Sequence, residues 1–307
     1  MKIFFNTIRL TLALAVLLLT GCGSAPQSDG DTLNVLASTS FLADIAQNVA
    51  GERLTVTFLL PIGADPHTYQ AAPADVSRIA KSNVLILNGL DYEHFIEPLL
   101  KNAGGERLVI EATHGLKPRA AKTESNTDEV HEAGDPHMWL DPNLVITYVE
   151  NIRDGLIQID PEGAQTYTAN ADAYSAQLIE LDAFIKEQTQ SIPADRRLLV
   201  TNHGSLGYFA ERYGFEVVDT ILPSFSSEAG ASAREIASTI DAIRASNAPA
   251  IFLGEVENAS LANQIAAETG VKVVNTLYLE SLTDGAPAST YIDMMKHNVM
   301  EIVNALK

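Results

Sequence analysis

Cysteine is almost missing from this chain: Cys22 is the only one in 307 residues. No intramolecular disulfide can form, and zinc or iron–sulfur sites built on Cys-x-x-Cys are excluded. Any metal must therefore be held by His, Asp or Glu. Basic residues are scarce too, 20 Lys and Arg against 39 Asp and Glu, for a formal charge of −19. Nucleic-acid phosphates and anionic lipid headgroups are poor partners for such a surface, and a cationic ligand is a better one. The sequence also lacks a His-Glu-x-x-His motif and a nucleophile elbow, the two commonest signatures of hydrolytic chemistry that a histidine-bearing chain could carry. What is present, 46% hydrophobic residues, suits one or two globular domains with real cores.

Residues 1–21 read as a targeting segment. Lys2 and Arg9 supply positive charge, and the apolar run at 10–19 is too short to span a bilayer comfortably. The run ends in Leu19-Thr20-Gly21-Cys22, which resembles the lipobox of bacterial lipoproteins, where cleavage before the cysteine accompanies acylation of its sulfur. The expectation is a lipoprotein signal peptide over 1–21 with lipid attachment at Cys22; the alternative is an ordinary secretory signal with an incidental cysteine. Residues 22–31 have the small, polar composition of a tether, reaching at most about 30 Å. The folded body would then sit just outside a membrane.

From Leu33 onward, short β-rich runs alternate with helical patterns, the signature of parallel sheets built from βα units. Strands are predicted at 33–37, 54–60, 84–88 and 108–111, and again at 198–201, 215–218, 250–253 and 271–275. Helices are predicted at 41–50, 74–81 and 92–103, then at 206–213, 232–245 and 259–269. Gly214 and Gly270 fall where left-handed helix ends are wanted. Between the two series Tyr167, Ala171, Tyr174, Leu178, Leu181 and Ile185 recur at spacings of four and three, one apolar stripe along a helix of about 40 Å. The expected fold is α/β: two (β/α)4-type lobes with parallel four-stranded sheets, 32–161 and 191–307, joined by one bracing helix over 162–190. The alternative for that helix is a surface element of one lobe.

Seven histidines stand at 67, 94, 114, 131, 137, 203 and 297. His67 follows one predicted strand and His203 another, at the carboxyl ends where open α/β sheets bind ligands. Asp-Pro-His occurs twice, as Asp65-Pro66-His67 and Asp135-Pro136-His137. Proline fixes its own φ and biases the preceding residue to extended geometry, so each loop is pre-ordered and delivers its histidine; a rigid turn with an exposed histidine is the plain alternative. Asp141 is a good N-cap and Pro142 a good first helical residue, which would fix the loop holding His137. A fourth donor is expected from the loop after 271–275, where Glu280 and Asp284 are the candidates, with Asp141 a supporting or alternative group. Three neutral imidazoles and one carboxylate suit a tetrahedral divalent site, and zinc matches that set best.

With these pieces in place the chain resembles the metal-binding solute-binding lipoproteins of ABC importers for zinc and manganese, the cluster A-I or TroA-like group. The resemblance is carried by Ala37-Ser-Thr-Ser-Phe41, Gly63-Ala-Asp-Pro-His67-Thr-Tyr-Gln70, Asn88-Gly89-Leu90, Asp135-Pro-His-Met-Trp-Leu-Asp-Pro142, His203 with Gly207-Tyr-Phe209, Ser232-Ala-Arg-Glu235 and Thr290-Tyr291-Ile-Asp-Met-Met295. Their order and spacing cover essentially the whole body of the chain.

The resemblance implies two lobes joined by a long helix, metal in the cleft between them, and delivery to an ABC permease and its ATPase subunit. It implies that His67 and His137 are the first two ligands and that His203 stands at a place where zinc-type members have histidine and manganese-type ones often glutamate. The family's fourth ligand is usually aspartate and aligns here with Glu280, a departure that moves the carboxylate by a methylene. Residues 117–134 sit where zinc-type relatives often carry a histidine-rich loop; here only His131 stands among acidic residues, which reads as a solvated acidic loop or a weak metal-gathering site. A monomer that captures Zn2+, with Mn2+ or iron as alternatives, is expected at the outer face of the cytoplasmic membrane or in the periplasm. The rival readings are a zinc hydrolase and a surface adhesin or signalling ligand.

Overall fold

The computed structural model describes residues 33–120, 134–222, 224–228 and 230–307. The expected signal peptide, tether and Cys22 lie outside the described residues, as does His131. The first sheet holds β1 (Val35–Ala37), β2 (Val56–Phe58), β3 (Val84–Leu87) and β4 (Leu108–Glu111), all parallel, in the order β2-β1-β3-β4. The second holds β5 (Leu198–Thr201), β6 (Glu216–Thr220), β7 (Ala250–Gly254) and β8 (Lys272–Leu277), again parallel, in the equivalent order β6-β5-β7-β8. The α/β class and the two four-stranded sheets expected from the alternating pattern are both present.

The central strands β1, β3, β5 and β7 are buried on both faces, as expected of parallel sheets. Alternate side chains divide between two clusters: Val35, Ala37, Val84 and Ile86 face one core, while Leu36, Leu85 and Leu87 face another with Ile79 and Leu99. The second sheet repeats this, with Phe252 in the first core and Val200, Ile251 and Leu253 in a third. The first core is continuous from Val35 to Leu306, and residues 33–307 form one compact unit.

Nine α-helices occur among the described residues. These are α1 (Ser40–Ala50), α2 (Pro73–Lys81), α3 (Ile96–Ala103), α4 (Pro142–Ile159), α5 (Ala164–Gln190), α6 (Gly207–Tyr213), α7 (Ala233–Ser246), α8 (Ala259–Thr269) and α9 (Tyr291–Leu306). None is long and apolar enough to cross a membrane. The 27-residue α5 packs on α1 and α4 from the first half and on α6 and α9 from the second, and every residue of its predicted stripe is buried. It therefore touches both halves along one face.

Local chemistry sets the helix ends. Asp141 accepts the Asn143 N–H and Pro142 opens α4, as read from the sequence. Gly214 and Gly270 take left-handed φ of 75° and 78° after α6 and α8. The helix expected over 92–103 begins only at Ile96; residues 92–95 continue the turn that opens with Leu90 and Asp91, both at φ 56°. The strand predicted at 271–275 runs on to Leu277 through an irregular register with β7. Helix α9, for which no boundaries were predicted, buries Met294, Val299, Ile302 and Leu306 on one side.

Asp182 ties α5 to α6. Its carboxylate accepts from Arg212 Nε and Nη2 at 3.0 Å each, from Tyr213 Oη at 3.1 Å and from Lys186 Nζ at 2.7 Å. Burial alone would raise its pKa, but the hydrogen bonds from Arg212 and Lys186 outweigh this and lower it to about 2. A folded-state value below the unfolded one stabilises the fold above about pH 4 and loses that contribution as pH falls toward 2. Asp182→Asn should therefore cost about 1–2 kcal/mol at pH 7, with the difference from the parent in thermal unfolding narrowing below pH 4.

Candidate metal centre

Four side chains from loops after different strands converge at one point. Beyond β2, Leu59 and Leu60 still donate to the carbonyls of Ala37 and Ser38 before the chain turns at Pro61. His67 follows, and its backbone N–H donates to Asp65 Oδ1 at 2.9 Å. The second Asp-Pro-His closes the same way, with His137 N–H on Asp135 Oδ1 at 3.0 Å. The repeated tripeptide is thus one aspartate-closed turn used twice. His203 lies two residues past β5, its carbonyl held by Thr201 Oγ1 at 2.7 Å. Glu280 lies on the loop after β8.

The donor atoms face one another. Glu280 Oε1 is 3.9, 3.7 and 3.6 Å from the Nε2 atoms of His67, His137 and His203, and the latter two nitrogens are 3.3 Å apart. All four donors lie within 4.8 Å of one another. A tetrahedral ion with bonds of about 2.0–2.1 Å needs donor separations of about 3.4 Å, so the cluster is close to the size of such a shell. The four residues are between 0% and 6% exposed. Among the described residues no other group of His, Asp, Glu and Cys comes together in this way.

The surroundings orient three of the four donors. His137 Nδ1 is 2.9 Å from Asp135 Oδ1, and His203 Nδ1 is 2.6 Å from Glu257 Oε1, so a proton on each Nδ1 leaves Nε2 free toward the centre. Glu280 Oε2 accepts from Tyr92 Oη at 2.6 Å, which leaves Oε1 as the inward oxygen. Glu255 accepts the backbone N–H groups of Leu279 at 2.7 Å and Glu280 at 3.2 Å, and burial raises its pKa to about 8. His67 is different: neither ring nitrogen has a protein partner, and Glu280 Oε1 has none either. Buried polar atoms without partners are expensive, and a cation at the centre would satisfy His67 Nε2 and Glu280 Oε1 together.

The charge balance points the same way. Burial lowers the His67 pKa to about 3, so this imidazole is a neutral donor at ordinary pH. Burial also disfavours a charged His203, but its hydrogen bond to Glu257 and the nearby charge of Glu280 prevail and hold it protonated in the metal-free protein. Glu280 is in turn kept ionised by the neighbouring imidazoles against the cost of burial. An incoming divalent cation replaces that proton as the partner of the carboxylate.

Thus His67, His137, His203 and Glu280 are brought together, and the other candidates are not. Asp284 is exposed in the turn beyond Glu280, because residues 279–282 are pinned by bonds that aim Glu280 inward: Trp139 Nε1 to the Leu279 carbonyl, Gly63 N–H to Ser281 Oγ, and Leu282 N–H to Ser40 Oγ. Asp141 is occupied as the cap of α4 and lies 3.8 Å from Arg212. His114 is exposed after β4; His94 is exposed in a turn ahead of α3, not in a helix; His297 on α9 bonds the Thr276 carbonyl at 2.8 Å. Sequence reading passed over Tyr92, Glu255 and Glu257. The two glutamates did carry a signal, since Gly254-Glu-Val-Glu257 sits at the carboxyl end of β7 where the site gathers.

The family described as the periplasmic zinc-uptake complex component A matches residues 35–305. The manganese-binding lipoprotein MntA of Halalkalibacterium halodurans is 34% identical over 99% of both chains, and the iron-binding protein YfeA of Yersinia pestis is 30% identical over 89% of this chain and 86% of its own. Among solved structures, the periplasmic zinc binding protein TroA from Treponema pallidum superposes with a TM-score of 0.80 at 28% identity, covering 90% of this chain and 99% of that one. A Mn-bound periplasmic metal binding protein from Candidatus Liberibacter asiaticus gives 0.78 at 30% identity, covering 90% and 100%. The match over nearly all of the described body places the chain in the family of periplasmic zinc-uptake components A, the metal-binding, substrate-binding proteins of ABC transporters.

Proposed function

We propose that His67, His137, His203 and Glu280 capture a single zinc ion outside the cytoplasmic membrane and that the protein hands it to an ABC permease driven by its ATPase subunit. The observation that carries this reading is the buried cluster itself: three Nε2 atoms arranged around one carboxylate oxygen at 3.6–3.9 Å, with His67 lacking any other partner. Four protein donors close a tetrahedral shell and leave no position for a substrate, which suits cargo and not catalysis. The chain works as a monomer tethered by lipid on Cys22, its signal peptide 1–21 removed, with 32–161 and 191–307 as lobes on either side of the 162–190 helix. Release requires the permease to draw ligands of one half away from those of the other.

Zinc is favoured by the donor set. Imidazole nitrogens suit it, and Glu280 offers one oxygen because the other is held by Tyr92. Manganese is the second reading, supported by the name of the manganese-binding relative. It takes more oxygen donors, so it would need Glu280 to turn bidentate or to share the site with water.

Metal-free protein lacking residues 1–22, given equal zinc and manganese, should retain about one zinc per chain, four-coordinate by X-ray absorption. Glu280→Ala should weaken zinc by at least about tenfold. Retained parental affinity would move the fourth ligand elsewhere, and absence of metal uptake by the parent would refute the carrier reading.

Because His203 must give up its proton to bind, affinity should fall steadily as pH drops from about 10 through neutrality, whereas His67 stays a neutral donor down to about pH 3. In weakly buffered solution at pH 7–8, zinc uptake should release protons, since His203 gives one up on binding. A calorimetric titration whose heat is independent of the buffer's ionisation enthalpy would contradict that exchange.

A further inference from the structure

The side chain that joins the carriers of two different donors is Asn88, at the end of β3. It is fully buried. Its Nδ2 donates to the carbonyls of Gly89 and Pro136, each at 3.1 Å, and its Oδ1 accepts from Tyr148 Oη on α4 at 2.6 Å. Turning the amide over would set its oxygen against two carbonyls, so only this orientation satisfies it. The Pro136 carbonyl belongs to the peptide that leads directly into His137.

The backbone of Asn88 points to the other donor. Its N–H donates to Glu93 Oε1 at 2.7 Å, an oxygen that also accepts from Ser38 Oγ at 2.6 Å, while Glu93 Oε2 accepts the Gly89 N–H at 3.2 Å. Those bonds close a turn in which Gly89, Leu90 and Asp91 all have positive φ, a path unfavourable for Leu and Asp without outside support. Thr113 packs so close that a Cβ at Gly89 would meet its Oγ1 at 2.8 Å. The turn delivers Tyr92, whose hydroxyl holds Glu280.

We infer that Asn88, braced by Glu93, is a positioning residue for the metal centre: it holds the His137 loop and the Tyr92 turn in one register and so sets the distance between His137 Nε2 and Glu280 Oε1. This rests on the capture-and-delivery reading above. Asn88 touches no metal; it acts on affinity and release through the two loops it joins.

The test compares Asn88→Leu, which keeps the branched outline of the side chain but is bulkier and removes its donors and acceptor, with Tyr148→Phe and with Val299→Ala, a core truncation on α9. Zinc and manganese, each alone, are titrated against a chromogenic chelator, and the unfolding midpoint of each metal-free variant is recorded. Asn88→Leu should weaken zinc by about 10–100-fold, with faster loss to excess chelator. Tyr148→Phe, which leaves the buried Asn88 Oδ1 without a partner, should show a smaller loss of the same kind with a modest fall in midpoint, while Val299→Ala should lower the midpoint and leave affinity unchanged. Parental affinity in Asn88→Leu, or an equal loss in Val299→Ala, would overturn the inference. If Asn88→Leu fails to fold, Tyr148→Phe decides, and parental affinity in it would overturn the inference. A parent that takes up neither metal would instead refute the transport reading.

Discussion

An ionised carboxylate buried among three imidazoles is costly to maintain without a counter-charge, and the surroundings of the centre are organised by that cost. Glu280 lies 2% exposed, with one oxygen on Tyr92 and the other pointing at three nitrogens. In the metal-free protein a proton on His203 supplies the missing positive charge, shared with Glu257. A divalent cation supplies more charge and closer bonds. The site is thus held between two chargeable states, and its neighbours are placed to keep the donors in reach of one another in both.

The scaffold fits this task because the donors come from loops on separate strands while the body behind them is continuous. His67 belongs to the first sheet's loops, and His203 and Glu280 to the second's, yet one apolar core runs through both sheets and α5 packs on helices of both halves. Residues 279–282 reinforce the connection, since Trp139, Tyr92, Gly63 and Ser40 each bond a different one of these four consecutive residues. A loop from the second sheet is therefore laid onto the first half and carries its carboxylate there.

Much of this was legible in the residues, for identifiable reasons. The alternation of β and helical patterns marked both sheets because parallel strands buried on two faces read as short apolar runs. The repeated Asp-Pro-His marked two loops because proline and aspartate constrain the backbone locally. Glu280 was drawn from a loop holding two carboxylates, and what separates it from Asp284 is a set of backbone bonds to distant residues that no local pattern reveals. Tyr92 was hidden for a related reason: the apolar spacing of 92–103 suggests a helix, whereas Glu93 and Asn88 hold the first residues in a turn. Glu255 and Glu257 were obscured by number, since in a chain with 39 acidic residues a carboxylate after a strand is ordinarily solvated.

The unbroken core has a consequence for the lifetime of the protein. A body whose two sheets share one apolar interior should unfold cooperatively, so the free energy of an ion bound at its buried centre would protect the whole body and not only the loops that hold it. At a free-ion concentration about a thousand times the dissociation constant, that protection is about 4 kcal/mol. Loaded chains then open far more rarely than empty ones. Proteases of the cell envelope would remove the empty ones first, and the standing amount of this protein would follow the local supply of its ion without any dedicated sensor.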